Sequence, residues 1–199
     1  MAFKKGSISQ TTKSQKKKLE KIKNTEIELI INELDDNQVV VNINMNSIIE
    51  PYVRNRLAGN SSHLYDPLNT YKKQIRRKLK EQLENYENFK MGEGKITFII
   101  DVYTVPPKSF TKRQLVYAIF KRIIRPIVKP DLDNVAKTAM DVCSKLFWKD
   151  DNQVVELKVR KFYGENQATY IKFYMDLKPD EIRGRANEEE NELWKTLNL

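Results

Sequence analysis

Between Lys129 and Asp151 the chain has few ways to fold: Lys129-Pro130-Asp131-Leu132-Asp133-Asn134 opens a helix, and Asp150-Asp151 follows where that helix must end. Pro130 fixes its own φ and biases Lys129 away from helical geometry, so the segment ahead of the helix is extended. Asp131 and Asp133 flank one residue there, and both carboxylates can reach a single point before the helix start. Asp133 is the expected N-cap of a helix over residues 134–147, with Val135, Ala139, Val142 and Leu146 as its buried stripe. Asp133, Lys137 and Asp141, each four apart, share one face, with Lys137 one turn in from the acids. A helix of ~14 residues rises ~21 Å, so Asp150 and Asp151 join the acids at its start only if the chain folds back.

Carboxylates brought together repel, and a divalent cation is the usual remedy. Hard oxygen ligands favour Mg²⁺ or Mn²⁺, which favour phosphate oxygens in turn. Each feature also has an ordinary explanation: a capping aspartate, a helix ion pair, turn chemistry. Their accumulation in a chain of formal net charge +9, against its own basic trend, tips the reading toward a metal site and phosphoryl chemistry.

The 199 residues suffice for one domain with a sizeable core. With 36 Lys plus Arg against 27 Asp plus Glu, the partner is expected to be an anionic polymer, nucleic acid first. The lone Cys143 cannot form an internal disulfide, which suits a reducing compartment, and no stretch approaches the ~20 apolar residues of a membrane span. A cytoplasmic location is expected.

Residues 1–35 read as a basic, flexible N-terminal extension, although an apolar run begins at Ile27. Residues 38–45 alternate as a half-buried strand, with Asp35-Asp36-Asn37 as the turn before it. A long loop over 46–66 carries Arg54, Arg56 and the single histidine, His63. Leu68, Tyr71, Ile75, Leu79 and Leu83 then mark a helix with strongly basic outer faces. Residues 95–105 read as a buried strand, and Ser109 or Thr111 caps a short helix through Phe120. Strands are expected over 154–162 and 169–175, with Gly164-Glu165-Asn166 as a hairpin between them. Residues 178–199 read as an acidic tail forming an amphipathic helix. Arg54, Arg56, Lys72, Arg76, Lys112, Arg113 and Lys129 are the expected phosphate contacts.

The run Lys129-Pro130-Asp131-Leu132-Asp133-Asn134, then Lys137, Asp141, Trp148-Lys149-Asp150-Asp151-Asn152-Gln153-Val154 and Val159-Arg160-Lys161, closely resembles the RusA family of Holliday junction resolvases, endonucleases common in bacteriophages and prophages. The likeness is specific over residues 96–176 and looser over 60–83. It implies a homodimeric α+β protein, a single domain over residues 36–177 with a mixed sheet and helices packed on it. It also implies binding of four-way DNA junctions and paired symmetric incisions with Mg²⁺ or Mn²⁺. The family's essential acids fall on Asp131, Asp133 and Asp151, and its helix lysine on Lys137. A slightly shorter stretch after the helix makes Asp150 an alternative to Asp151. The competing expectations are a nuclease of the same chemistry acting on forks or flaps, and a catalytically silent junction-binding protein.

Overall fold

In a computed structural model the described residues are Glu20, 23–57 and 64–179. In chain order the elements are β1 (Ile27–Glu33), β2 (Gln38–Met45), the two-residue pair β3 (Arg56–Leu57) and β4 (Leu64–Tyr65), α1 (Asn69–Leu83), β5 (Ile96–Thr104), α2 (Lys112–Leu115), α3 (Leu132–Cys143), β6 (Val154–Tyr163) and β7 (Ala168–Asp176). A single five-stranded mixed sheet, ordered β1-β2-β7-β5-β6, carries the helices, so the chain is α+β as expected. His63, most of the basic N-terminal stretch and the acidic C-terminal segment expected to form a helix lie outside the described residues.

β1 and β2 form a hairpin whose turn is closed by the Asp35 side chain, accepting from the backbone N–H of Asn37 and of Gln38. β1 therefore belongs to the sheet, which begins well before the expected boundary at residue 36. β2 pairs with β7, and β7 with β5, both antiparallel. β5 pairs with β6 in parallel, so α3 lies in the crossover between them. The hairpin expected across Gly164-Glu165-Asn166 is not formed, because β5 lies between β6 and β7. Gly164 N–H instead donates to Thr104 O at 2.9 Å, tying the end of β6 to the end of β5.

Periodicity decides which faces meet. α1 buries Tyr71, Ile75 and Leu79, and α3 buries Val135, Ala136, Ala139, Val142 and Cys143. Both stripes share a core with Val41, Ile43, Phe98, Ile100, Ile171 and Phe173 of the sheet. Each large side chain so buried contributes on the order of 1.5–3 kcal/mol. After α3, Phe147 and Trp148 plug the same end of the core, with both ring centroids 5.2 Å from that of Phe173. Gly92 permits this: its N–H donates to Phe147 O at 2.8 Å, and a Cβ there would sit 2.2 Å from the Met175 Cγ.

The sequence misplaced the ends of α3. The helix starts at Leu132, with Asp131 rather than Asp133 as N-cap, and stops at Cys143. Ser144 leaves helical geometry and Lys145 takes a φ of 68°, which breaks the ladder before Phe147.

Candidate active site

Asp131 holds extended backbone geometry (φ −76°, ψ 131°), and its side chain makes no capping bond, while Asp133 lies in the first turn. Both are exposed, and neither carboxylate has a hydrogen-bond or ion-pair partner among the described residues. The ordinary capping account of this pair therefore does not describe it. The helix start offsets part of their mutual repulsion through its positive dipole end.

The entry to that helix start is held from β6. Lys161 donates to the carbonyls of Val128 and, at 3.1 Å, Pro130. Arg125 donates to Lys161 O at 3.1 Å and lays its guanidinium 3.8 Å over the Phe162 ring, with Arg122 5.2 Å from the same ring. Sequence reasoning gave none of these three residues a role at the site. Their signal was available in part, since Arg122 and Arg125 lie just upstream of the acids and Lys161 lies in the strand of the family resemblance.

One turn into α3, Lys137 is exposed, with its Nζ 3.8 Å from the centroid of the Tyr52 ring. Tyr52 was also missed. Its N–H donates to Asn134 O at 2.8 Å, which pins Tyr52 onto the first turn of α3. Asp141, one turn further along, is taken by Lys72 of α1 at 2.6 Å, and Lys72 also bonds Asp66 at 2.7 Å. Burial disfavours the Lys72 ammonium, but Asp141 and Asp66 outweigh it and raise its pKa. Burial likewise raises the Asp66 carboxyl, yet the bonds from Lys72 and Leu68 N–H, with the charges of Lys72 and Lys137, leave it below the usual value.

Two of the expected phosphate contacts, Lys72 and Arg76, are engaged within the chain. The Lys72 side chain is only 11% exposed and is occupied by two carboxylates. Arg76 turns inward to cap the end of α3, donating to Asp141 O and, at 3.3 Å, to Val142 O. Arg54, Arg56, Lys112, Arg113 and Lys129 remain exposed, with Arg113 stacked 5.7 Å over Tyr117.

Asp150 and Asp151 stand at the other end of α3. Asp150 closes a turn, accepting from Asn152 N–H at 2.9 Å in a capping box with Gln153. Asp151 accepts from the Trp148 indole N–H at 3.2 Å. Burial pushes the Cys143 thiol up against the opposing influence of Arg76, and the charge of Asp151 adds to the rise; the Trp148 that holds Asp151 is itself bridged to Ser144, the residue after α3. β6 then runs back along the helix until Lys161 reaches Pro130. A helix of 12 residues rises about 18 Å, so that length separates Asp151 from the other acids. The convergence expected from sequence is not made within one chain, because Trp148 is buried where α3 ends and holds Asp151 there. Among the described residues no group of three His, Cys, Asp or Glu could hold a metal ion.

Residues 48–174, nearly two thirds of the chain, match the family described as Endodeoxyribonuclease RusA. The chain belongs to the RusA endodeoxyribonuclease family. The RusA segment contains Tyr52, Asp131, Asp133, Lys137, Asp150, Asp151 and Lys161, whereas β1 and β2 precede it. The chain is also similar to Uncharacterized protein YqaN of Bacillus subtilis (strain 168), 38% identical over 79 residues, which are 39% of this chain and 56% of that protein. The match thus spans little more than half of that relative's length. Among the described residues of this RusA chain no helix is long and apolar enough to cross a membrane.

Proposed function

We propose that this chain is a structure-selective, divalent-metal-dependent endodeoxyribonuclease that resolves four-way DNA junctions by paired incisions in recombination and repair. The observation that carries this reading is the pair Asp131 and Asp133, without a partner among the described residues and presented with free backbone N–H groups at the start of α3. Exposed carboxylate oxygens in this arrangement suit Mg²⁺ or Mn²⁺. One chain supplies two such acids, so the fit is partial. A divalent cation bound there supplies an activated water and charge stabilisation at the phosphate. Lys137 counters charge on the phosphate from one turn along the helix. Arg54, Arg56, Lys112, Arg113 and Lys129, joined by Arg122 and Arg125, hold the strands by their phosphates. Affinity then falls steeply with salt.

The third acid comes from a second copy in this reading. β6 is a sheet edge, with Val155 65% and Leu157 44% exposed, and Ile127 near the helix start is 95% exposed. An edge of this kind invites a partner. A two-fold that sets two β6 edges antiparallel turns the Asp151 end of one copy toward the Asp131 end of the other. The site then takes Asp131, Asp133 and Lys137 from one copy and Asp151 from its twin. Two equivalent sites match a substrate cut twice with two-fold symmetry.

A panel of four-way junction, fork, flap and linear duplex, each incubated with the full chain and Mn²⁺, tests the reading. Preferential paired cutting of the junction supports it. Equal cutting of linear duplex refutes structure selectivity, faster cutting of forks or flaps makes those the substrate, and binding without any cutting refutes the enzyme.

A further inference from the structure

We infer that Tyr52 is a positioning residue for Lys137, its ring holding the ammonium ready for phosphate without neutralising it; this rests on the role proposed for Lys137 above. A lysine on an exposed helix face with aspartates four residues to either side ordinarily pairs with one of them. Lys137 pairs with neither. Asp141 is withdrawn by Lys72 at 2.6 Å, and the Lys137 Nζ sits 3.8 Å from the Tyr52 ring centroid. Tyr52 cannot drift from the helix, because its N–H bonds Asn134 O at 2.8 Å in the first turn of α3. Ring and lysine are therefore referenced to the same turn that carries Asp133.

The chemistry of the partner matters. A carboxylate would hold the lysine by cancelling its charge, and an incoming phosphate would have to displace it. An aromatic face attracts a cation through its quadrupole, carries no net charge, and leaves the ammonium protons free to donate. The ring also limits the rotamers of a four-carbon stem that would otherwise be ordered only when substrate arrives. Tyr52 is half-buried and Lys137 exposed, so the face of the ammonium away from the ring is open to solvent.

The test separates ring electrostatics from packing. Replacing Tyr52 by phenylalanine carrying zero, one, two or three ring fluorines drains charge from the ring face at nearly constant shape. The single-turnover cleavage rate of a four-way junction, its dissociation constant measured with Ca²⁺ in place of Mn²⁺, and the NMR shift of the Lys137 ε-methylene protons are followed across the series. Tyr52→Phe is expected to cut within about twofold of wild type and Tyr52→Leu about tenfold more slowly, with the rate falling stepwise with fluorine number and affinity unchanged. The ε-methylene protons should be shifted upfield by the ring current in wild type and return to ordinary values in Tyr52→Leu. A flat fluorine series, an unshifted ε-methylene, or a loss of affinity matching the loss of rate overturns the inference. Lys137→Ala in the same assay shows where the failure lies. If that variant is slow while the fluorine series is flat, only the inference about Tyr52 fails. If it cuts like wild type, the role of Lys137 fails and the inference with it.

Discussion

Lys72 and Asp141, joined at 2.6 Å between α1 and α3, decide the charge pattern of the whole acidic face of α3. By binding Asp141 and Asp66 together, Lys72 removes the carboxylate that would otherwise compete for Lys137. Arg76, one turn along α1, neutralises the free carbonyls at the end of the same helix. Lys72 and Arg76, next to Tyr71 and Ile75 of the α1 stripe, thus brace α3.

That brace has a pH signature. The Asp66 pKa is held below its ordinary value of 3.8 in the fold, so its contribution to stability is present above that value and is lost as pH falls through the lower folded pKa. Lys72 is raised above 10.5, so its contribution is complete below that pH and fades only as pH climbs through the higher folded value. Urea unfolding of wild type should show a plateau between these limits and a loss of stability below about pH 4. Lys72→Met should cost about 1–3 kcal/mol at neutral pH, since two half-buried carboxylates then face each other, and should lose less on acidification. An unchanged unfolding midpoint at neutral pH would remove the brace from the account.

Lys161 should act on cutting more than on folding. Its two bonds to the carbonyls of Val128 and Pro130 set the approach to Asp131. Lys161→Met is expected to keep junction affinity and to lower the single-turnover rate by about tenfold to a hundredfold, the cost of a small misplacement of reacting groups. Lys161→Arg should recover part of that rate. Wild-type cutting by Lys161→Met would show that the helix start holds its place without this anchor.

Mixing two dead variants tests whether the third acid is shared between copies. Asp133→Asn and Asp151→Asn should each be inactive alone. In a mixed dimer with shared sites, one site keeps all three native acids, so co-refolded protein should nick junctions on one strand. No activity in the mixture would place each complete site within a single chain.

Strands and helices were legible because burial writes its period into the chain: the alternation of residues 38–45 and the spacing of Tyr71, Ile75 and Leu79 admit few alternatives. Sheet order was not, since nothing local distinguishes β6 beside β7 from β6 beside β5. The inward turn of Lys72 and Arg76 follows from their places next to Tyr71 and Ile75, on the side of α1 that meets α3, but that neighbour is invisible without the tertiary fold. The acids were singled out by type and spacing. Their distribution over the two ends of α3 was hidden because it depends on Trp148 filling the core where the helix stops.

The most direct measurement is junction cleavage by Asp133→Asn with Mn²⁺, read beside its junction affinity. The account predicts wild-type binding and a single-turnover rate reduced by about a thousandfold or more. Cutting at the wild-type rate by a folded Asp133→Asn protein would contradict it.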